Sequence, residues 1–300
     1  MDYLSNKNEH PRDRHISFDE GPHIYTIDGD SDFTSVTTWN HAHFQEFDAD
    51  KIIDNMMTSK NWTQSKYYGM TPDEIKAAWE KNRDEAATAG TKMHLNIEMF
   101  YNHVDVPEDD KDCDEWRYFE EFQKEYSHLK PYRTEWMIWD KELKFAGSVD
   151  MTFENEDGTI EIYDWKRSKE IKLDNRWQTG KTTCVSHLPD CNYYHYCLQL
   201  NTYKALLEKN YGKTIKGMYL VCLHPNNQNK SYQRIKVKDL SQEIGDLFEL
   251  RLAMIEQNIT DVHNIESVKL PKRLKSSISS TDQESESSFQ ECLINSSDSE

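Results

Sequence analysis

The sequence has 300 residues, of which 36% are hydrophobic and 12% aromatic, and its formal net charge is −18. This composition is sufficient for one sizeable packed domain. No apolar run approaches the roughly 20 residues that a membrane helix needs, and the N-terminus lacks the apolar segment of a secretion signal. The sequence therefore predicts a soluble intracellular protein, in the cytoplasm or the nucleus, without a membrane partner.

The charge is unevenly distributed along the chain. Residues 276–300 contain six acidic and no basic residues, so the rest of the chain carries −12. Such an acidic chain is not suited to coating duplex DNA without specificity, because phosphate neutralisation needs a basic surface. The Ser-rich, acidic segment 271–300 is predicted to be disordered. Residues 1–15 are polar and are predicted to be a flexible N-terminus, which leaves 16–270 as one folded domain.

The predicted elements alternate between helices and strands. A hairpin is expected at His23–Ile27 with its turn at Asp28-Gly29, and a short strand at Ser35–Thr38 runs into a helix cap. Apolar periodicity predicts helices over 42–57, 72–101, 112–129, 192–210 and 240–259, β-structure over 134–163 and a buried strand over 214–223. The predicted class is α/β (α+β), with a central mixed sheet flanked by helices.

A second hairpin carries the most informative residues. Strands are predicted at Phe145–Phe153 and Ile160–Lys166, with a three-residue bulged loop around Asp157 and Gly158. In the register that this loop sets, Asp150 lies opposite Asp164, although a bulge would shift the pairing by one residue. Opposed side chains lie about 4.5–5.5 Å apart at Cβ, so the two carboxylates repel unless a cation lies between them.

Two interpretations of this hairpin face are open. Lys166 lies on the Asp164 face, because side chains alternate with a period of two. An exposed face on which the lysine neutralises two acids would need no metal. Ile160 and Ile162 share that face, however, which predicts that it is partly buried. Buried carboxylates are costly without a cation, and oxygen ligands favour Mg²⁺ or Mn²⁺.

A predicted helix adds further polar residues. His94 and Glu98 are four residues apart and therefore lie on one helix face. Met93 and Ile97 form part of an apolar stripe that would dock this helix on the sheet. A single histidine in such a helix is more often a surface or core residue than a ligand.

Four short motifs follow one another in a recognisable order. They are Gly90-Thr91 with His94 and Glu98, Gly147 with Asp150, Asp164 with Lys166, and Gln199 with Tyr203. Together they resemble the RecB-type branch of the PD-(D/E)XK nuclease superfamily, over roughly residues 35 to 225. The likeness is strongest to mitochondrial genome-maintenance exonuclease-like members and to members from large DNA viruses.

This resemblance implies a restriction-endonuclease-like core and a function. It implies a metal-dependent DNA nuclease, an exonuclease that hydrolyses DNA ends or single strands in repair, recombination or replication, with partner proteins from those processes. The implied metal ligands are His94, Asp150, Asp164 and the main-chain carbonyl of Trp165, while Lys166 would activate the attacking water. The implied substrate-binding residues are Gln199, Tyr203, Glu98, Thr91, Arg167 and Ser168.

Basic and aromatic residues around the hairpin could contact the substrate. The basic residues are Lys141, Lys144, Arg167, Lys169, Arg176 and Lys181. The aromatic ones, which could equally be ordinary sheet-edge residues, are Trp165, Trp177, Tyr193 and Tyr194.

Three alternatives remain at this point. A nuclease fold that has lost activity would serve as a nucleic-acid-binding subunit, and a structural protein with an acidic tail would explain only the C-terminus. A structural zinc site at Cys184, Cys191 and Cys197 stays open, although their spacing is unlike that of zinc modules. No iron–sulfur cluster is expected, because no cysteine precedes His94 and these three precede Gln199.

Overall fold

The computed structural model describes residues 1–269. Its α-helices are α1 (Tyr3–Lys7), α2 (Val36–His41), α3 (Ala49–Met57), α4 (Pro72–Tyr101), α5 (Glu108–Lys111), α6 (Asp114–Glu125), α7 (Asn192–Tyr211) and α8 (Ser241–Glu256). Its strands are β1 (Ile16–Asp19), β2 (Ile24–Ile27), β3 (Thr34–Ser35), β4 (Lys130–Asp140), β5 (Phe145–Glu154), β6 (Ile160–Lys166), β7 (Ile215–Cys222) and β8 (Gln233–Lys236).

The central sheet is mixed. Strand β5 pairs antiparallel with β4 and β6, β6 pairs parallel with β7, and β7 pairs antiparallel with β8. The short β3 pairs parallel with the beginning of β5, and β1 and β2 form a separate antiparallel hairpin. Strands β6 and β7 are parallel neighbours, and α7 lies between them in sequence, because parallel strands need a long crossover connection.

Hydrophobic residues pack on both faces of this sheet. One cluster joins Ile160 and Ile162 of β6 to residues of α2, α7 and α8, including Leu198. The other joins Tyr163 and Trp165 of the same strand to α4 and α6. Because successive side chains of β6 point to opposite faces of the sheet, this strand contributes to both clusters. The prediction of an α/β fold with a central mixed sheet flanked by helices is confirmed.

The predicted register of the β5–β6 hairpin is also confirmed. Met151 pairs with Tyr163 and Glu154 with Ile160, which is the register that extends to Asp150 and Asp164. Asn155 and Thr159 close the loop, and Gly158 has a φ of +78°, as a bulged three-residue loop requires.

Capping residues set the helix boundaries. The Thr71 side chain forms a capping box with Glu74, and this cap starts α4 at Pro72 as predicted. Helix α7 ends at Gly212, which adopts the left-handed conformation at φ +63°. The single helix predicted over 42–57 is wrong, because Asp48 caps a new helix by accepting a hydrogen bond from the Lys51 N–H.

The N-terminal segment packs against the domain, in contrast to the flexible N-terminus predicted from its polarity. Leu4 is buried, and its N–H donates to Asn102 Oδ1 at 3.1 Å. Asp13 pairs with Arg133 at 2.6 Å and accepts a hydrogen bond from the Trp136 indole. These partners are distant in sequence, so the local composition of residues 1–15 gives no sign of them.

Two other predictions concern the ends of the chain and membranes. The predicted acidic tail, 271–300, lies outside the described residues. Within residues 1–269, no helix is both long and apolar enough to cross a membrane.

Candidate metal centre

The candidate site lies where β5 and β6 diverge. The pairing between β5 and β6 ends at Met151 and Tyr163, and the N-terminal end of β5 pairs with β3 instead. Asp150 and Asp164 lie just beyond the last pair. The Trp165 N–H donates to Asp150 Oδ2 at 3.0 Å and fixes this carboxylate across the gap. The divergence of the strands leaves room for polar side chains inside an otherwise apolar sheet.

Lys166 and Asp164 form a buried ion pair. Lys166 Nζ lies 2.6 Å from Asp164 Oδ2, and the two side chains are 17% and 3% exposed. The ring of Tyr196, on α7, lies 4.6 Å from the ammonium. The exposed-face interpretation of this hairpin is therefore wrong, because Ile160, Ile162 and Asp164 are all buried.

Helix α4 supplies a histidine to the same region. His94 Nδ1 lies 3.5 Å from Asp150 Oδ2 and 3.8 Å from Glu135 Oε1. Glu135, on β4, also accepts a hydrogen bond from the Ser148 hydroxyl at 2.8 Å. The cluster thus combines one imidazole and two carboxylates from three separate elements.

The pKa values in this cluster reflect burial and mutual repulsion. Burial raises the pKa of Asp164 to about 6, and Asp150 adds to the rise while Lys166 opposes it. Burial and the Glu135 charge raise the pKa of Asp150 in the same way. Burial alone would lower the pKa of His94, but Asp150 and Glu135 outweigh it and raise that pKa to about 9. Strongly shifted pKa values of several groups in a small volume are typical of functional sites.

The donor set fits a hard divalent cation. The ligand atoms of His94, Glu135 and Asp150 all lie within 4.8 Å of one another. Asp164 Oδ2 is buried, and Lys166 Nζ, at 2.6 Å, is its one polar partner among residues 1–269. A carboxylate oxygen can accept more than one partner, and a cation bound in this buried site would supply a further one. Carboxylate oxygens with one imidazole suit Mg²⁺ or Mn²⁺.

The structure brings together part of the predicted ligand set. His94 and Asp150 are adjacent, whereas Asp164 lies outside the group of three and next to Lys166. The contact of Trp165 with this group is made through its N–H, and the ligand role of its carbonyl stays a prediction.

Glu135 is the functional candidate that the sequence analysis missed. The pairing of Thr134 with Met151 and of Trp136 with Val149 places Glu135 opposite Asp150. Its φ of +41° is unusual for a non-glycine residue in a strand and marks a local irregularity there. The signal that would have identified it is an acid directly before the apolar run 136–139 in a predicted strand.

Gln199 and Tyr203 lie behind the carboxylates. The Gln199 amide donates to the Tyr203 hydroxyl at 3.3 Å. Tyr203 is 3% exposed, and a Cβ built on Gly147 would lie 2.8 Å from its ring. Only glycine lets β5 approach this ring so closely. The buried Tyr203 side chain is thus placed to support the site from within the core.

The other predicted substrate-binding residues have varied surroundings. Thr91 is exposed on α4, and Glu98 is half-buried one turn after His94, with a pKa raised to about 7 by burial and by Glu135. Arg167 Nε pairs with Glu115 at 2.7 Å, and the Ser168 hydroxyl donates to the Glu170 carbonyl. Their roles towards DNA stay predictions, and both Arg167 and Ser168 already have protein partners.

The three clustered cysteines do not form a comparable group. Among residues 1–269, the group of three or more potential ligands is the one at His94, and Cys184, Cys191 and Cys197 are free thiols outside it. Burial raises the pKa of Cys184 and of Cys197 to about 11, so both are neutral thiols at neutral pH.

A scan against protein-family models finds no match to this chain. A search of curated proteins finds no relative either.

Proposed function

We propose that this protein is a metal-dependent DNA nuclease that acts on DNA ends or single strands. The observation that carries the proposal is the position of Lys166 and Asp164 beside the cluster of His94, Glu135 and Asp150. The four motifs that resemble RecB-type nucleases contain four of these five residues. The resemblance rests on the order of short motifs along the chain and the geometry on contacts between distant elements, so they are separate lines of support.

The chain would hold the cation with the carboxylates of Asp150 and Glu135 and the imidazole of His94, with Asp164 close by. A bound Mg²⁺ or Mn²⁺ supplies charge that polarises a phosphodiester and acidifies a water molecule. Burial and, to a smaller extent, the Glu135 charge raise the pKa of Asp150, and a cation bound there would offset the repulsion between these two carboxylates.

Lys166 has a separate task. Its pKa is raised well above the usual range by Asp164 and Asp150, against the effect of burial, so the ammonium stays charged at neutral pH. A fixed positive charge stabilises the negative charge that develops on phosphate oxygens during hydrolysis. Asp164 and Tyr196 hold this ammonium in one position, and Gln199 and Tyr203 support the strand that carries Asp150.

The test is cleavage of end-labelled single- and double-stranded DNA by the full chain with Mg²⁺, Mn²⁺ or EDTA. We expect cutting with either cation, none in EDTA, and a loss of at least 100-fold in Lys166→Ala. The product ladder separates cutting from ends from cutting within a strand. Binding without cutting under every cation would contradict the proposal and favour a nucleic-acid-binding subunit.

A further inference from the structure

The segment after Lys166, residues 167–178, is here called the post-lysine loop. Its first half is tied to the start of α7 by Asn192. The Asn192 amide donates to the Glu170 carbonyl at 2.7 Å, and its Oδ1 accepts from the Lys172 N–H at 2.8 Å. Asn192 lies one helical turn before Tyr196, whose ring contacts Lys166. The base of the loop is thus held beside the proposed catalytic lysine.

The tip of the loop is also held in place. The Asn175 amide donates to the Asp190 carbonyl at 2.6 Å. Its Oδ1 accepts from the N–H groups of Trp177 and Gln178, at 3.1 and 3.3 Å. The main chain at Trp177 is therefore held by the Asn175 side chain, which connects it to Asp190.

Trp177 itself points into solvent. Its side chain is 93% exposed, the highest value for a large hydrophobic residue in the described chain, and Leu173 nearby is 59% exposed. Within residues 1–269, the indole has no aromatic, cation or hydrogen-bonding partner. An exposed tryptophan on a fixed backbone loses little conformational entropy on binding, which suits it to contact a flat ligand.

The charge of the loop is opposite to that of the chain. The post-lysine loop contains four basic and two acidic residues, hence +2, in a chain of −18. Lys169 and Lys172 are exposed and form no ion pair within the described residues. Arg176 has only a long, exposed contact with Asp174, at 3.7 Å. A basic surface with an exposed aromatic ring fits a polyanion that carries planar groups.

We propose that the post-lysine loop binds the DNA strand next to the cleavage site and that Trp177 stacks on an unpaired base. This inference rests on the proposed function, because it places the strand beside Lys166. Stacking on a base face requires a base outside the duplex, so Trp177 gives the enzyme a preference for single strands or frayed ends. Lys169 and Lys172 contact the phosphates on either side of that base.

The test measures binding of a fluorescein-labelled single strand by the full chain in EDTA, where it is not cut. A second strand of equal length has abasic sites throughout, so it keeps the phosphates and lacks the bases. We expect Trp177→Ala to weaken binding of the normal strand by about 5- to 150-fold, and binding of the abasic strand by less than twofold. Trp177→Phe should retain most of the affinity, and Tyr3→Ala, an exposed aromatic on α1, should change neither.

Three results would overturn the inference. They are equal affinities of Trp177→Ala and wild type for the normal strand, an equal loss on both strands, and absence of single-strand binding by the wild type. The cleavage assay separates this proposal from the proposed function. If the wild type cuts DNA and Trp177→Ala binds the normal strand as tightly as the wild type does, the nuclease function is supported and the stacking role is refuted. If the wild type does not cut DNA under any cation but Trp177→Ala binds the normal strand more weakly than the wild type does, only the stacking role is supported.

Discussion

Lys166 Nζ and Asp164 Oδ2 lie 2.6 Å apart in a site where both side chains are largely buried. Replacing Lys166 by Met would leave a buried carboxylate near Asp150 without its cation. We expect a loss of about 3 kcal/mol in the free energy of unfolding in EDTA, and a partial recovery in Mn²⁺, which replaces the missing charge. Urea unfolding with and without Mn²⁺ measures both effects.

The matched control is Lys141→Met, which removes a lysine from the exposed β4–β5 turn. Its stability should change by less than about 0.5 kcal/mol. If Lys166→Met were as stable as Lys141→Met in EDTA, the ion pair would contribute nothing to the fold.

Glu135 is predicted to hold the cation although no motif contains it. In Glu135→Gln, the neutral amide is a weaker ligand, and we expect Mn²⁺ affinity to fall about tenfold or more. The cation-free variant loses both the repulsion between Glu135 and Asp150 and the attraction between Glu135 and His94, so its stability should change by less than about 1 kcal/mol. Calorimetric titration with Mn²⁺ and urea unfolding in EDTA test the two statements. Glu142→Gln, which removes an exposed acid from the same turn as Lys141, is the control; equal affinities of the two variants would refute a ligand role for Glu135.

Gly147 and Gly90 belong to two of the motifs but should respond differently to alanine. A Cβ at Gly147 meets the buried ring of Tyr203 at 2.8 Å, so Gly147→Ala should cost about 1–3 kcal/mol through overpacking. A Cβ at Gly90 meets no atom within 4 Å, and Gly90→Ala should stabilise α4 by about 0.5–1 kcal/mol. Thermal and urea unfolding compare the two, and a neutral Gly147→Ala would show that the ring moves freely.

Arg167 is predicted to stabilise the fold more than it binds DNA. Its ion pair with Glu115, at 2.7 Å, joins the segment after β6 to α6, and the side chains are 20% and 13% exposed. Because the pair is only partly open to solvent, we expect Arg167→Ala to cost about 1–2 kcal/mol. A double-mutant cycle with Glu115→Ala should recover most of this loss as coupling between the two residues. A large loss of DNA affinity with unchanged stability would instead support the substrate-binding role expected from the sequence.

Local sequence rules and long-range contacts explain which features could be predicted. The β5–β6 register follows from the bulged three-residue loop, and the α4 boundary from Thr71 and Pro72, so both can be predicted from neighbouring residues. Glu135 reaches the site only through the pairing of β4 with β5 and an irregular φ. Leu4 docks on Asn102, 98 residues away in sequence. Features of this second kind depend on tertiary packing, which composition and periodicity do not encode.

A buried histidine should make the fold sensitive to acid. His43 is fully buried, with Nδ1 2.9 Å from Thr182 Oγ1 and Nε2 without a hydrogen-bond partner. Burial, with a smaller effect of Lys181, lowers its pKa to about 3. The unfolded chain therefore binds a proton below about pH 6.5 while the folded protein stays neutral, so stability falls as the pH falls through this window.

The expected size follows from this one proton. Between pH 7.5 and 5.5, His43 should remove about 1.4 kcal/mol from the free energy of unfolding. Other groups titrate in the same range, so the informative quantity is the difference between the wild type and His43→Phe, which cannot be protonated. Urea unfolding at both pH values should show that the free energy of unfolding drops by about 1.4 kcal/mol less in His43→Phe than in the wild type. The control is His128→Phe, at an exposed position, which should follow the wild type more closely. Parallel pH profiles for the wild type and His43→Phe would mean that the folded protein accommodates a charged imidazole between α2 and Thr182.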